Sequence, residues 1–343
     1  MNSFLSPVVF QQLDIWSKTL VPEKFDDFIG NNAIRKILKN YSTKKCLPNL
    51  LLTGPHGTCK KNFAVLTAKL YLEEDYERAC LHIEGAISRG KDIISTQAVK
   101  KVEKNTFTGL NVMEFAKIRM TLKNECKRII IIYNFEDMTV DAQNALRRIM
   151  ETQAKTTRFI LVANQLDSII EAIQSRCITL QTELLTDSET TLLINKIRER
   201  VEIQTPWEPD MYNIISMLSD GDMRKIVNYI QLIAAMNYPT LDCFHKVFNI
   251  PPVKLLKNML ENLNHETTQE KNIEHITFLL KQGYNYADIL EMLTKIIPRY
   301  TGIPLGTRVK YLEILNTYYC SITPHINNIH LYSLFSEFAR AAV

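Results

Sequence analysis

Five apolar runs of strand length, separated by stretches of helical period, restrict the first half of this chain to one kind of architecture. They are Asn49–Thr53 (NLLLT), Cys80–Glu84 (CLHIE), Arg128–Asn134 (RIIIIYN), Arg158–Asn164 (RFILVAN) and Cys177–Leu180 (CITL). Strands apolar at nearly every position must be covered on both faces, and intervening helices allow neighbouring strands to run parallel. The expectation is a parallel α/β sheet ending near residue 182. The first run leads into Gly54–Lys61 (GPHGTCKK), and Phe63–Leu72 beyond it reads as a helix whose start faces that loop. Thr139 stands as an N-cap before Ala142, Leu146, Ile149 and Met150 at helical spacing.

Beyond Thr182 every periodic stretch reads helical. Thr186 with Glu189 has the form of a capping box, and a second helix starts near Asp222 and carries Ile226, Ile230 and Ile233. Pro251-Pro252 marks a boundary, followed by helical candidates Leu255–Leu263, Asn272–Gln282, Tyr286–Ile297, Thr307–Ser321 and Ile329–Ala341. The expected division is an α/β domain over 1–182, a small helical domain over 183–248 and a helical domain over 249–343.

The loop after the first strand carries chemistry. A phosphate-binding loop, G-x-x-x-x-G-K-[ST], uses glycine backbone N–H groups and a lysine on phosphate, and a hydroxyl on Mg²⁺. Gly54, Gly57 and Lys60 fit it, but Cys59 replaces the second glycine and Lys61 replaces the hydroxyl. A cation at the hydroxyl position opposes Mg²⁺ by charge. The expectation is an ATPase fold without an ATPase of its own.

Composition sets outer limits. With 343 residues, 46% hydrophobic and 23% charged, the chain has room for two or three ordinary globular domains. A net charge of +4 permits a basic face without requiring one, although Gln97–Arg128 alone holds eight Lys/Arg against three Glu. A solvated helical face is the plainer account of that window. Seven cysteines without C-x-x-C or zinc-type spacing read as reduced thiols, so no metal ligands are expected. MNSFLSPVVF lacks a signal-peptide pattern and no apolar run spans a bilayer, so an intracellular chain with no membrane partner is expected.

Gly54–Lys60, Asp141–Arg148 (DAQNALRR), Asn164, Ser175-Arg176-Cys177 and Gly221–Lys225 (GDMRK) occur in order and together resemble the small subunits of replication factor C. Those are AAA+ clamp-loader proteins, and the similarity runs from about Trp16 to the C-terminus. The resemblance implies an AAA+ parallel-sheet domain, a helical lid domain and a C-terminal helical collar that joins five subunits. It implies that Arg176, within Ser175-Arg176-Cys177, is an arginine finger reaching a neighbour's nucleotide. A surface arginine paired with Glu171 is the plainer alternative. Asn164 matches the residue that positions the attacking water; a strand-end cap or turn residue is the plainer alternative. Arg224 matches a second sensor; as a cation at a helix start it needs an anion, either phosphate or Asp220 or Asp222.

Two further elements depart from the family. Its Walker B strand ends in Asp-Glu, where Tyr133 and Asn134 stand here. Trp16–Pro22 (WSKTLVP) has Leu20-Val21 where the family has Tyr-Arg beside the nucleotide. ATP or ADP bound without hydrolysis, with Mg²⁺ disfavoured, is therefore expected; Lys60-Lys61 resembles the double lysine of the family's end-of-arc subunit with a G-K-K loop. Arg89 and Lys91, in Ser88–Asp92, match a segment that follows the DNA backbone, although a solvated loop is equally open. Implied partners are the other loader subunits, a sliding clamp of PCNA type and primer–template DNA. The location would be the nucleus of a eukaryotic cell, or a viral replication compartment or the cytoplasm for a viral chain. Two rivals stand beside this reading: an autonomous ATPase using Glu136 or Asp137, and a non-catalytic scaffold of a related AAA+ complex.

Overall fold

A computed structural model describes residues 15–85, 112–117, 126–203, 207–236, 240–264, 269–320 and 329–342. Strands β1 (Leu50–Thr53), β2 (Cys80–Glu84), β3 (Arg128–Tyr133), β4 (Thr157–Val162) and β5 (Ile178–Gln181) form one parallel sheet in the order β2-β3-β4-β1-β5. All five expected strands are present, with ends displaced by no more than two residues. The register pairs Leu51 with Leu161 and Thr179, and Ile131 with His82 and Ile160.

The apolar runs divide by alternation, because successive strand residues point to opposite faces. Leu50, Leu52, Ile129, Ile131, Ile160 and Val162 pack with Leu38, Phe63, Ala64 and Tyr71 from helices Asn32–Thr43 and Lys60–Leu72. Leu51, Ile130, Ile132, Phe159 and Leu161 pack on the other face with Leu146, Ile149 and Met150 of helix Val140–Thr152. Thr139 caps that helix, its hydroxyl accepting from the Ala142 amide at 3.3 Å. The capping box of Thr186 and Glu189 opens helix Asp187–Arg200.

The chain divides into two compact units. One comprises Met1–Ile203 with Leu218–Gln231, the other Gln204–Met217 with Leu232–Val343. In the second unit, helices Val253–Glu261, Gln269–Lys281, Tyr286–Arg299, Leu305–Cys320 and Ile329–Ala342 match the five expected ones. Leu256, Met259, Leu290, Leu293, Ile297, Tyr311, Leu315 and Phe338 are buried there. Tyr311 and Phe338 lie with ring centroids 4.6 Å apart. Helices Asn32–Thr43, Pro209–Ser219 and Leu241–Val247 lie outside the sequence expectations. Among the described residues, no helix is long and apolar enough to cross a membrane, and all seven cysteines are free thiols.

Parallel strands place all their carboxyl ends at one edge. The loop after β1, Glu84 of β2, Tyr133 and Asn134 at the end of β3, Asn164 beyond β4 and Thr182 beyond β5 therefore gather there. Arg89 and Lys91, matched to DNA contact, lie outside the described residues, as does most of the basic window.

Candidate functional site

The loop over residues 54–59 passes through positive φ at Gly54, Gly57 and Cys59. Gly54 has φ +129°, and a Cβ there would sit 2.3 Å from the Thr182 carbonyl oxygen. Gly57 has φ +75°, and a Cβ would meet the Asp222 carboxylate. Cys59, standing for the second glycine, still adopts the left-handed conformation (φ 58°, ψ 22°) as N-cap of helix Lys60–Leu72. Holding a side-chain residue in that conformation costs about 1–2 kcal/mol. The surroundings support it: Thr58 and Thr182 hydroxyls lie 2.7 Å apart, and the Thr182 hydroxyl donates to the Thr53 carbonyl at 2.9 Å.

Lys60 is buried and turned into the loop. Its ammonium donates to the carbonyl of Gly54 at 2.7 Å, to that of Pro55, and weakly to the Thr58 hydroxyl at 3.4 Å. Burial lowers its pKa from 10.5 to about 8, opposed by Glu136 and Asp222 and reinforced by Arg224. The folded pKa lies below the unfolded value, so the unfolded chain binds more protons between about pH 8 and 10.5. Stability is therefore expected to rise with pH across that window. A phosphate on Lys60 would restore the proton. Nucleotide binding at pH 8.5 is expected to take up roughly three-quarters of a proton, measurable by calorimetry in buffers of different ionisation enthalpy. An uptake of zero would remove Lys60 from phosphate contact.

The start of helix Met223–Ala234 lies against this loop. The Met223 amide donates to the Gly57 carbonyl at 3.1 Å, and Asp222 accepts from the amides of Arg224 and Lys225 at 2.8 and 3.3 Å. Asp222 thus caps the helix, while the exposed Arg224 is near enough to Lys60 and Cys59 to shift both. Gly54, Gly57, Lys60 and Arg224 lie together at this loop.

The contacts that join Lys61 to Glu84, Tyr133 and Asn134 at the ends of β2 and β3 lie outside the sequence expectations. The Lys61 ammonium lies 3.2 and 3.4 Å from the two Glu84 carboxylate oxygens and 5.0 Å from the centroid of the Tyr133 ring. The Asn134 amide donates to the same Glu84 carboxylate at 2.5 Å. Tyr133 is anchored by its hydroxyl, 2.8 Å from His82 Nδ1, and His82 Nε2 lies 3.0 Å from the Tyr76 hydroxyl. A P-loop ATPase holds Mg²⁺ with the loop hydroxyl and the carboxylate ending the Walker B strand. Lys61 and Tyr133 occupy those two positions and touch each other, so the residues present do not fit the metal. Asn164, beyond β4, donates through its amide to Glu136, whose other carboxylate oxygen is buried without a partner. Asp137 is exposed.

Arg176 lies elsewhere on the surface. Its guanidinium contacts Glu151 at 2.6 Å, the Ala172 carbonyl at 2.6 Å and the Ser175 hydroxyl at 3.3 Å. The carboxylate partner is Glu151 from helix Val140–Thr152, not Glu171, and Arg147 also approaches it at 3.7 Å. Gln143, fully buried on that helix, braces the segment ahead of Arg176. Its amide donates to the carbonyls of Met138 and Ser168 and accepts from the Ile170 amide at 3.0 Å. Ser175 and Cys177 flank the arginine; burial pushes the Cys177 thiol up to about 12.

Comparison with known proteins gives a consistent picture. A sequence family described as DNA polymerase III, delta subunit, matches residues 29–186. Replication factor C subunit 4 of Oryza sativa subsp. japonica is 30% identical over 307 residues, covering 87% of this chain and 85% of its own length. The replication factor C small subunit of Natronomonas pharaonis is 32% identical over 288 residues, with coverage of 83% and 82%. A probable replication factor C subunit 2 of Dictyostelium discoideum is 27% identical over 331 residues, covering 96% and 93%. Among solved structures, a Thermotoga maritima RuvB variant matches with TM-score 0.51 and 16% identity, over 79% of this chain and 90% of that one. The fold is of the AAA+ ATPase type, with a parallel sheet and a helical C-terminal region.

Proposed function

Because the chain belongs to the replication factor C small-subunit family, we propose that it is one small subunit of a heteropentameric loader of ring-shaped sliding clamps for DNA replication. In this reading its own nucleotide site is catalytically silent, holding ATP or ADP without turning it over, and Arg176 acts on the nucleotide of a neighbouring subunit. Residues 1–182, 183–248 and 249–343 serve as nucleotide-binding, lid and collar domains, the last joining the subunits. The other loader subunits, a PCNA-type clamp and primer–template DNA are the partners, with Arg89 and Lys91 on the DNA backbone. A nuclear location follows for a eukaryotic source, and a viral replication compartment or the cytoplasm for a viral one.

One asymmetry carries the reading. The positions that would bind metal and activate water are Lys61, Tyr133 and Asn134; Lys61 and Asn134 meet on the Glu84 carboxylate, and the Tyr133 ring faces the Lys61 ammonium. Arg176, by contrast, is a surface guanidinium fork, 37% exposed, on a segment braced by buried Gln143. A permanently charged planar fork can stabilise charge developing on a transferred phosphoryl group. The test is DNA- and clamp-stimulated ATP turnover of the reconstituted complex with wild-type chain or Arg176→Ala. Unchanged turnover in an intact assembly would leave this subunit an architectural part.

One observation favours a second reading, an autonomous ATPase. Glu136 is held by Asn164, keeps a buried oxygen without a partner and lies close enough to Lys60 to favour its charged form. Hydrolysis by the purified chain alone, lost in Glu136→Gln, would establish it.

A further inference from the structure

The two positions that hold Mg²⁺ in a P-loop ATPase are joined here by a fixed positive charge. Helix Lys60–Leu72 aims Lys61 at the end of β3, where its ammonium lies 5.0 Å from the centroid of the Tyr133 ring. An aromatic face carries negative charge density that attracts a cation. Glu84, paired with Tyr133 in the β2–β3 register, lies against the same ammonium at 3.2 Å. The Asn134 amide donates to the same Glu84 oxygen that lies nearest the ammonium. The seat is rigid, because Tyr133 stacks on His82 and both His82 ring nitrogens lie within hydrogen-bond distance of tyrosine hydroxyls. Glu84, the carboxylate in contact with Lys61, is already paired with it, and a divalent ion entering would face the ammonium at short range. Lys61 has three N–H donors; the two Glu84 oxygens engage two, leaving one for a phosphate oxygen.

We propose that Lys61, seated on Glu84 and Tyr133, stands in for the divalent cation, so that this site takes its nucleoside di- or triphosphate without metal. The inference rests on the reading that the site holds nucleotide. It adds that Lys61 supplies the charge Mg²⁺ would otherwise bring, beside Lys60 on the loop.

The test is titration of the purified full chain with a fluorescent N-methylanthraniloyl ADP, in EDTA and in millimolar Mg²⁺. Wild-type dissociation constants in the two buffers are expected to agree within about threefold. Lys61→Ala should weaken binding in EDTA by about tenfold or more, the loss expected for one charge-assisted hydrogen bond. Lys61→Arg, which keeps the charge, should remain within about threefold of wild type. Because Lys61 is 42% exposed, its variants should melt at the wild-type temperature, which is checked alongside. Binding that Mg²⁺ tightens tenfold or more, or binding indifferent to Lys61→Ala, overturns the inference and leaves nucleotide retention standing. Absence of binding in both buffers overturns nucleotide retention itself, and this inference with it.

Discussion

Replacing Arg176 with alanine is expected to reduce DNA- and clamp-stimulated ATP turnover of the assembled complex by about tenfold or more. Arginine fingers contribute about 10³–10⁵ in rate at a single GTPase site. In the proposed loader several sites would turn over in one coupled cycle, so losing a single finger slows the whole complex, by less than the single-site factor. Arg176→Lys should recover little of the lost rate, since a point charge on a flexible stem cannot reproduce the planar fork. Folding should be insensitive to the change. The Arg176–Glu151 pair is 37% and 44% exposed, and pairs of that kind contribute about 0.2–1 kcal/mol. A melting temperature close to wild type with turnover strongly reduced is the signature sought. A large drop in melting temperature would instead mark Arg176 as a structural arginine.

The largest effect on stability is expected at Phe159. It lies fully buried on β4, between β3 and β1, among Leu51, Ile130, Phe135, Leu146 and Leu161. Its backbone amide donates to the Asn49 side chain at 3.1 Å, so the strand cannot readily slide to refill the space. Phe159→Ala should cost about 3–5 kcal/mol, from lost transfer energy and the cavity left behind. Denaturant titration measures it, and a cost near 1 kcal/mol would mean that the site collapses around the smaller side chain. The consequence reaches the site, because β4 carries Asn164 just beyond its end and holds β1 in register.

The sheet was legible because a parallel strand buried on both faces cannot disguise itself. Four consecutive isoleucines, Ile129–Ile132, leave no polar face, and the structure divides them alternately between the two cores. The caps at Thr139 and Thr186 were legible because each side chain satisfies amides within its own next turn. Helix Asn32–Thr43 was harder to read: it begins after Asn31 in a left-handed conformation, without a side-chain cap. In the site, the glycines, Lys60, Asn164 and Arg224 carry motifs that name them. Glu84 and Glu151 carry none. Their roles arise from register and packing: Glu84 matters because β2 pairs with β3 at Tyr133, and Glu151 because its helix ends beside Arg176. Sequence spacing pointed instead to Glu171, five residues away in the chain.

The clasp on Arg176 also bears on timing. An exposed ion pair worth about 0.2–1 kcal/mol leaves the guanidinium off its carboxylate for roughly a sixth of the time or more. Exposed side chains change rotamer in picoseconds to nanoseconds, whereas subunits of a ring move over microseconds or longer. Glu151 therefore works as a rest position and not as a gate. In the role proposed for it on a neighbour's nucleotide, the guanidinium would leave its carboxylate within the first moments of contact, and the slow step would belong to the approach of the subunits.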